Sequence, residues 1–448
     1  MNKKILRLAI PSIVSNITVP LLGMVDVAIT GHMGDARYMA AIAVGSMAFN
    51  IIYWMFSFLR FGTGGMTAQE YGKAAEGEKT RSGVGQSGEA DYAECCNVLV
   101  RAHLTCLLLS MVLVAMQMPL FRLIMWVISP GETLEPILQT YYGICIWGVF
   151  PSLALYAFTG WFVGMQNTAL PMAVSITQNI VNILLSTFFV YVLHMKIEGV
   201  ALGTLLAQWT GFFMALVMLR WRYGELWRGI RVRTAVRLGE MRRFFSVNST
   251  LFMRTIFLVA VNLYFIVAGA KGGAEILSVN SVLMQMFILY TYVMDGFAYA
   301  AEALCGKYYG ANDKPHFRLA MNGVWRWAAM LTALFTIAYA LGADAFLRLL
   351  TDEPQVRIVA GDYLLWAALI PVCGVGAFVW DGVFIGLTET KGMLWGTFVG
   401  AAAFFIIYFA FYPSWHNHAL WLAFNGYLLF RSITQEIIWR NVWRCKLK

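Results

Sequence analysis

Apolar runs of about twenty residues, separated by short polar segments, recur from one end of this 448-residue chain to the other. Wound as an α-helix at about 1.5 Å per residue, such a run matches the roughly 30 Å hydrocarbon core of a bilayer. The pattern predicts about twelve spans. The first six lie near Leu6–Thr30, Met39–Gly65, Val98–Met118, Thr140–Met165, Met172–Leu193 and Val200–Leu219. The second six lie near Phe245–Gly269, Ser278–Leu304, Ala320–Leu341, Tyr363–Leu387, Leu394–Phe411 and Leu420–Trp439. Short segments of strictly alternating polarity, the mark of a membrane β-barrel, are absent. The Gly-rich polar stretch Lys73–Glu94 reads as a loop, and Gln166–Pro171 as a tight turn. An amphipathic connection through Pro130-Gly131 joins spans three and four.

The spans fall into two sets of six. Residues 1–219 form an N-terminal lobe, 220–243 a basic linker and 244–448 a C-terminal lobe. The sets are related in sequence. Gly160-Trp161-Phe162-Val163-Gly164 in span four matches Gly382-Val383-Phe384-Ile385-Gly386 in span ten, and each is followed by Thr (Thr168, Thr390) and then Met (Met172, Met393). Glu70-Tyr71-Gly72 at the end of span two mirrors Tyr308-Tyr309-Gly310 at the end of span eight. Six spans per half start both halves on the same face of the membrane, so the repeats are parallel. Transporters built this way hold their substrate in a central cleft between the halves.

Composition supports the membrane reading: 60% of residues are hydrophobic and 13% charged, where a soluble protein carries roughly 25% charged residues. The net charge of +9 comes from basic loops between apolar runs, above all Arg220, Arg222, Arg228, Arg231, Arg233, Arg237, Arg242 and Arg243. Basic loops of this kind are retained in the cytoplasm and orient the chain, which argues against a nucleic-acid partner. The expectation is a multi-pass protein of the inner (plasma) membrane with both termini cytoplasmic. Met1-Asn2-Lys3-Lys4 followed by an apolar run, with no small-residue cleavage site after it, reads as a retained first span. Seven cysteines, most in apolar runs, give no disulfide framework.

Against that background the intramembrane polar residues stand out. A lone ionised carboxylate within a span costs roughly 2.5–3.5 kcal/mol on insertion scales, so it either reaches the interface or faces a polar path through the bundle. Asp26 in span one has both readings open. Asp295 and Glu302 in span eight are seven residues apart, hence on one face and about 10 Å from each other. They are either a structural pair neutralised by Arg254 or Arg60 or participants in proton or substrate handling. Asp381 in span ten and Arg431 in span twelve carry the same ambiguity. Span five holds Gln178, Asn179, Asn182 and Ser186, the last two on one face. Interhelical hydrogen bonding explains any one of them; proximity to Asp26 is the sharper alternative. The 24 Met and many aromatics suit an adaptable apolar lining, though they also suit core and lipid contact. No G-x-x-x-x-G-K-[ST] phosphate loop, metal-ligand cluster or Ser/His/Asp set occurs. ATP, metal cofactors and hydrolysis are therefore not expected, and an ion gradient remains as the energy source.

These residues also carry a family resemblance. Met24-Val25-Asp26 with Gly31-His32-Met33-Gly34, Phe58-Leu59-Arg60-Phe61-Gly62-Thr63, Leu251-Phe252-Met253-Arg254-Thr255, the span-eight run Met294–Ala303 and Asp381–Gly386 resemble the DinF-type branch of the multidrug and toxic compound extrusion (MATE) family. The resemblance covers essentially the whole chain. It implies two six-helix bundles that rock between inward- and outward-facing states and export diverse, often cationic, organic compounds in exchange for H⁺ or Na⁺. It places the coupling carboxylate at Asp26, with Asn179, Asn182 and Ser186 near it. Asp295, Glu302, Arg254, Asp381 and Arg60 would shape the substrate cavity. In some relatives a span-five Asp joins the coupling site; here Ser186 stands in its place, leaving one carboxylate fewer. The expected partners are small organic substrates and the lipid bilayer, with the chain acting as a monomer and carrying no cofactor beyond the coupling ion. A lipid-linked oligosaccharide flippase of the related superfamily is the alternative. It would call for a larger cationic cavity than the few span-embedded basic residues supply. A membrane enzyme or a channel fits less well, for want of a catalytic set at one membrane face and because the acids sit within a repeat.

Overall fold

In the computed structural model, residues 1–31, 36–83, 92–128, 131, 133–227 and 232–443 are described, together with most of their side chains; those of residues 19–28, 30, 36, 79–83, 127–128, 232–233 and 442–443 are outside the description. Nearly all of these residues are helical, and there is no strand among them. The helices are α1 (Asn2–Gly31), α2 (Ala36–Phe56), α3 (Phe58–Gly83), α4 (Ala93–Ala115), α5 (Gln117–Ile128), α6 (Glu135–Cys145), α7 (Val149–Gly164) and α8 (Ala169–Thr187). They continue with α9 (Ile197–Tyr223), the single turn α10 (Val232–Ala235), α11 (Leu238–Lys271), α12 (Ala274–Gly310), α13 (Lys314–Leu350), α14 (Pro354–Gly386), α15 (Thr390–Trp415) and α16 (Asn417–Ile438). Ten helical segments among the described residues are long and apolar enough to cross a membrane, with α2–α3 and α6–α7 each counted as one. The remaining two predicted spans, the first and the twelfth, correspond to the helices α1 and α16; the polar residues Asn417, Asn425, Arg431, Gln435 and Glu436 lower the hydropathy of α16.

Two local expectations are corrected. Span two is not a single smooth helix: α2 and α3 part at Ser57, whose hydroxyl donates to the Trp54 carbonyl at 2.7 Å. The start of the polar stretch Lys73–Glu94 is not a loop, because α3 runs on to Gly83. Lys73-Ala74-Ala75-Glu76 are good helix formers with no proline among them. The repeat-related α12 stops at Gly310 because Asn312 takes a left-handed backbone (φ 54°) and Pro315 follows. There Asp313 caps α13 by accepting from the His316 amide at 3.1 Å. Residues 84–91 of that stretch lie outside the described residues, and its last two residues, Ala93 and Glu94, begin α4.

Packing divides the chain into two compact units: residues 14–245, and residues 246–448 together with 1–13. In the N-terminal unit α7 lies against α3. A Cβ on Gly160 would sit 2.2 Å from the Arg60 carbonyl oxygen, and one on Gly164 2.8 Å from that of Gly64, so only glycine permits this approach. Trp161 is buried beside them and donates its indole N–H to the Cys95 carbonyl of α4 at 2.8 Å. The C-terminal unit repeats the contact. A Cβ on Gly382 of α14 would meet the Ala298 oxygen of α12 at 2.3 Å, and one on Gly386 that of Glu302 at 2.7 Å. The two helices even end alike. The Asn167 amide bonds Phe162 O at 2.9 Å around left-handed Gln166 (φ 63°), as the Glu389 amide bonds Phe384 O at 2.8 Å around Thr388 (φ 54°).

The basic segment after α9 is fastened to its own unit. Arg101 of α4, 1% exposed, donates to the Ala235 carbonyl of α10 at 2.6 Å and to Glu94 at 2.6 Å, with Glu240 of α11 3.8 Å away. In the C-terminal unit, α14 carries Pro371 mid-helix, and the buried Tyr290 hydroxyl of α12 donates to the Pro371 carbonyl at 3.1 Å. Asn280 of α12 and Asn417 of α16 exchange amide hydrogen bonds at 2.8 and 3.0 Å, joined by the Trp421 indole at 2.9 Å.

Candidate functional site

The predicted site residues fall into two groups, one per unit. In the N-terminal unit, α8 and the turn after it touch α1 on both sides of Asp26. The Asn179 amide donates to the Thr18 carbonyl at 3.2 Å. The Tyr191 hydroxyl, in the π-turn that follows α8, donates to the Ile29 carbonyl at 3.4 Å. Asp26 belongs to the helical backbone of α1, and its side chain lies outside the described residues. The other two span-five residues face a different helix. Asn182 donates to Thr204 of α9 at 3.0 Å, and Ser186, fully buried, packs where a Cβ on Gly203 of α9 would sit 2.3 Å from its oxygen. Spacing alone put Asn182 and Ser186 on one face; it could not tell that the face belongs to α9 while Asn179, one turn earlier, reaches α1. Thr18 and Thr204, the partners, were not singled out by sequence reasoning and carry no sequence signal beyond polarity. Arg60 of α3 is buried, its guanidinium 4.0 Å from the Phe61 ring centroid and in electrostatic reach of Tyr156.

In the C-terminal unit the acids and bases converge more tightly. Asp381 of α14 is the centre. One of its oxygens accepts from both Arg254 of α11 and Arg431 of α16, and the other accepts from the Gln435 amide of α16 at 2.8 Å. The two guanidiniums are 5% and 7% exposed and the carboxylate 13%, so three helices share one desolvated charge cluster. Asp295 of α12 interacts electrostatically with both arginines and with Tyr292. Glu302, two turns on, is buried at 1% exposure. Arg254 therefore neutralises Asp381 first, with Asp295 second. Gln435 was missed by sequence reasoning, although it lies four residues after Arg431 on the same face of α16. Among the described residues there is no His/Cys/Asp/Glu group able to hold a metal ion.

Ten segments long and apolar enough to cross a membrane among the described residues, two units with the same glycine-mediated helix contact and the same left-handed helix ending, and buried polar clusters define an internally duplicated, all-α polytopic membrane protein. The family model MatE matches residues 11–79, 80–188 and 250–410, and the chain belongs to that family of membrane transporters. It is 33% identical over 446 residues to DNA damage-inducible protein F of Escherichia coli (strain K12), covering 99% of this chain and 93% of that one. Among solved structures it is similar in fold to a MATE protein crystallised in a bent conformation (TM-score 0.84, 18% identity, 99% of this chain and 96% of that one). It is likewise similar to the D35N mutant of the Vibrio cholerae MATE transporter VcmN (TM-score 0.83, 14% identity, 99% and 97%).

Proposed function

We propose that this transporter is a secondary active antiporter, exporting diverse organic compounds in exchange for H⁺ or Na⁺ by rocker-switch alternating access in the inner membrane, as a monomer with cytoplasmic termini. Membership of the MatE family supports the export of small organic compounds, and the absence of a phosphate-loop motif supports an ion gradient over ATP. The observation that carries the assignment of the coupling site is the pair of contacts to α1 on either side of Asp26, from Asn179 of α8 and from Tyr191 in the π-turn after it. Asp26 alternates between protonated and ionised forms, and that exchange couples ion movement to export. Each change of charge alters what α1 can pack against, and α8 with the turn after it, holding the backbone of α1 through Asn179 and Tyr191, moves with it. Asn182 and Ser186 brace α8 on α9. Arg254, Asp295, Glu302, Asp381 and Arg60 shape the substrate-facing surfaces of their units.

Dye efflux in energised inverted vesicles tests this, with wild type beside Asp26→Asn and with H⁺ and Na⁺ gradients imposed separately. Transport by the wild type on one gradient alone, lost in a folded Asp26→Asn variant, is the expected result. Normal transport by Asp26→Asn would remove Asp26 from coupling and move the search to Asp295, Glu302 and Asp381.

A further inference from the structure

A small cavity of about 370 Å³ opens where the first turn of α1 meets α13, both within the C-terminal unit. Met1, Asn2 and Lys3 line one side and Leu319, Asn322, Gly323 and Arg326 the other. No carboxylate lines it. Lys3 and Arg326 are exposed, and among the described residues neither forms an ion pair. The neighbouring Lys4 is engaged elsewhere, donating to Tyr308 at 3.2 Å.

The depth of the cavity in the membrane follows from α13. That helix is 37 residues long, about 55 Å and so far longer than a ~30 Å hydrocarbon core. Arg326 and Asp344 bound its charge-free stretch, which measures about 27 Å. Arg326 therefore sits at the hydrocarbon boundary, and Leu319, Asn322 and Gly323 lie on its headgroup side. Two unpaired cations, two side-chain amides and no acid, held in a concave site at headgroup depth, are the chemistry that takes a phosphate-bearing anion.

We infer that this cavity binds the phosphodiester headgroup of an anionic phospholipid, with Lys3 and Arg326 paired to the phosphate oxygens and Asn2 and Asn322 hydrogen-bonded to the phosphate or glycerol. The acyl chains then run along α13 past Arg326 into the hydrocarbon. Lipid at this point ties the start of α1 to α13. The inference is independent of the role of Asp26.

The test uses full-length protein in detergent, with bound lipid counted by native mass spectrometry during titration with dioleoylphosphatidylglycerol, dioleoylphosphatidylcholine or inorganic phosphate. Phosphatidylglycerol should bind in preference to phosphatidylcholine. The variant Lys3→Gln/Arg326→Gln, altered only at exposed positions, should bind phosphatidylglycerol about twenty-five-fold more weakly, roughly fivefold for each charge removed. Asn322→Trp, which fills the cavity without changing charge, should also weaken binding. Arg348→Gln, which removes a charge from the other end of the same helix, should leave it unchanged. Equal binding of the two lipids, wild-type affinity in the double variant, or displacement by millimolar inorganic phosphate would each overturn the assignment.

Discussion

The two units solve one packing problem with the same parts and then diverge in charge. In both, a glycine pair four residues apart lets two helices meet backbone to backbone: Gly160 and Gly164 of α7 against α3, Gly382 and Gly386 of α14 against α12. The residue before the first glycine differs. It is Thr159 in one unit and Asp381 in the other. Around Asp381 the C-terminal unit gathers Arg254, Arg431 and Gln435 from two further helices. In the N-terminal unit, the described contacts of α8 are neutral amide bonds instead, Asn179 to Thr18 and Asn182 to Thr204. Duplication thus preserved the steric core, while the polar groups were free to specialise. The C-terminal unit acquired a cluster whose members depend on one another, whereas the contacts of α8 in the N-terminal unit are separable weak bonds.

Asp381→Asn should break the comparison most sharply. It keeps the side-chain shape but leaves two desolvated guanidiniums without their shared anion, and removing one partner of a buried ion cluster costs about 3–5 kcal/mol. On heating in detergent, with folded protein followed by size-exclusion chromatography, the variant should melt on the order of 10 °C below wild type. Adding Arg254→Met should recover part of the loss, since one stranded charge goes with it. An Asp381→Asn variant that melts with wild type would mean the arginines find other counter-ions, and the dependence claimed for this cluster would be gone.

The shared half of the comparison is tested by Gly160→Ala and Gly382→Ala. Each methyl group would land on a main-chain carbonyl oxygen of the facing helix, at 2.2 and 2.3 Å. Because the obstacle is backbone, the helices must separate, at a cost of about 1–3 kcal/mol for each variant. The two melting temperatures should fall by similar amounts. A fall in only one of them would show that the matched sequences do not make equivalent contacts.

The glycine repeat was legible in the sequence because close helix approach has a local signature, two small residues at a spacing of four. The spans were legible for a similar reason, since every window of twenty residues must satisfy the hydrocarbon by itself. The failures have a common cause too. Whether Lys73–Gly83 continues α3 depended on weighing helix formers against polarity in a segment outside the hydrocarbon, where the membrane imposes no rule. The partners of Asp381 come from positions 127, 50 and 54 residues away in sequence. A helical wheel tells which face a residue occupies and not which helix covers that face. Asn182 and Ser186 show this most plainly: their common face was read from spacing, yet it meets α9 at Thr204 and Gly203.

The smallest effect separates stability from function in the N-terminal unit. Asn179→Ala removes one hydrogen bond, to the Thr18 carbonyl. Interhelical side-chain bonds in membranes average about 0.6 kcal/mol, because the alternatives within a bilayer also find partners. The melting temperature should therefore drop by only about 1–2 °C, against the far larger fall for Asp381→Asn. Transport should respond differently. Asn179 grips α1 some two turns before Asp26, so losing the grip loosens the connection between α8 and the segment bearing the carboxylate. Efflux in inverted vesicles should fall well beyond what the small loss of stability accounts for, while Asn182→Ala, which acts on α9, should leave efflux closer to wild type. Equal efflux in the two variants would show that contact with α1 confers no special role on Asn179, and that all three span-five residues serve packing alone.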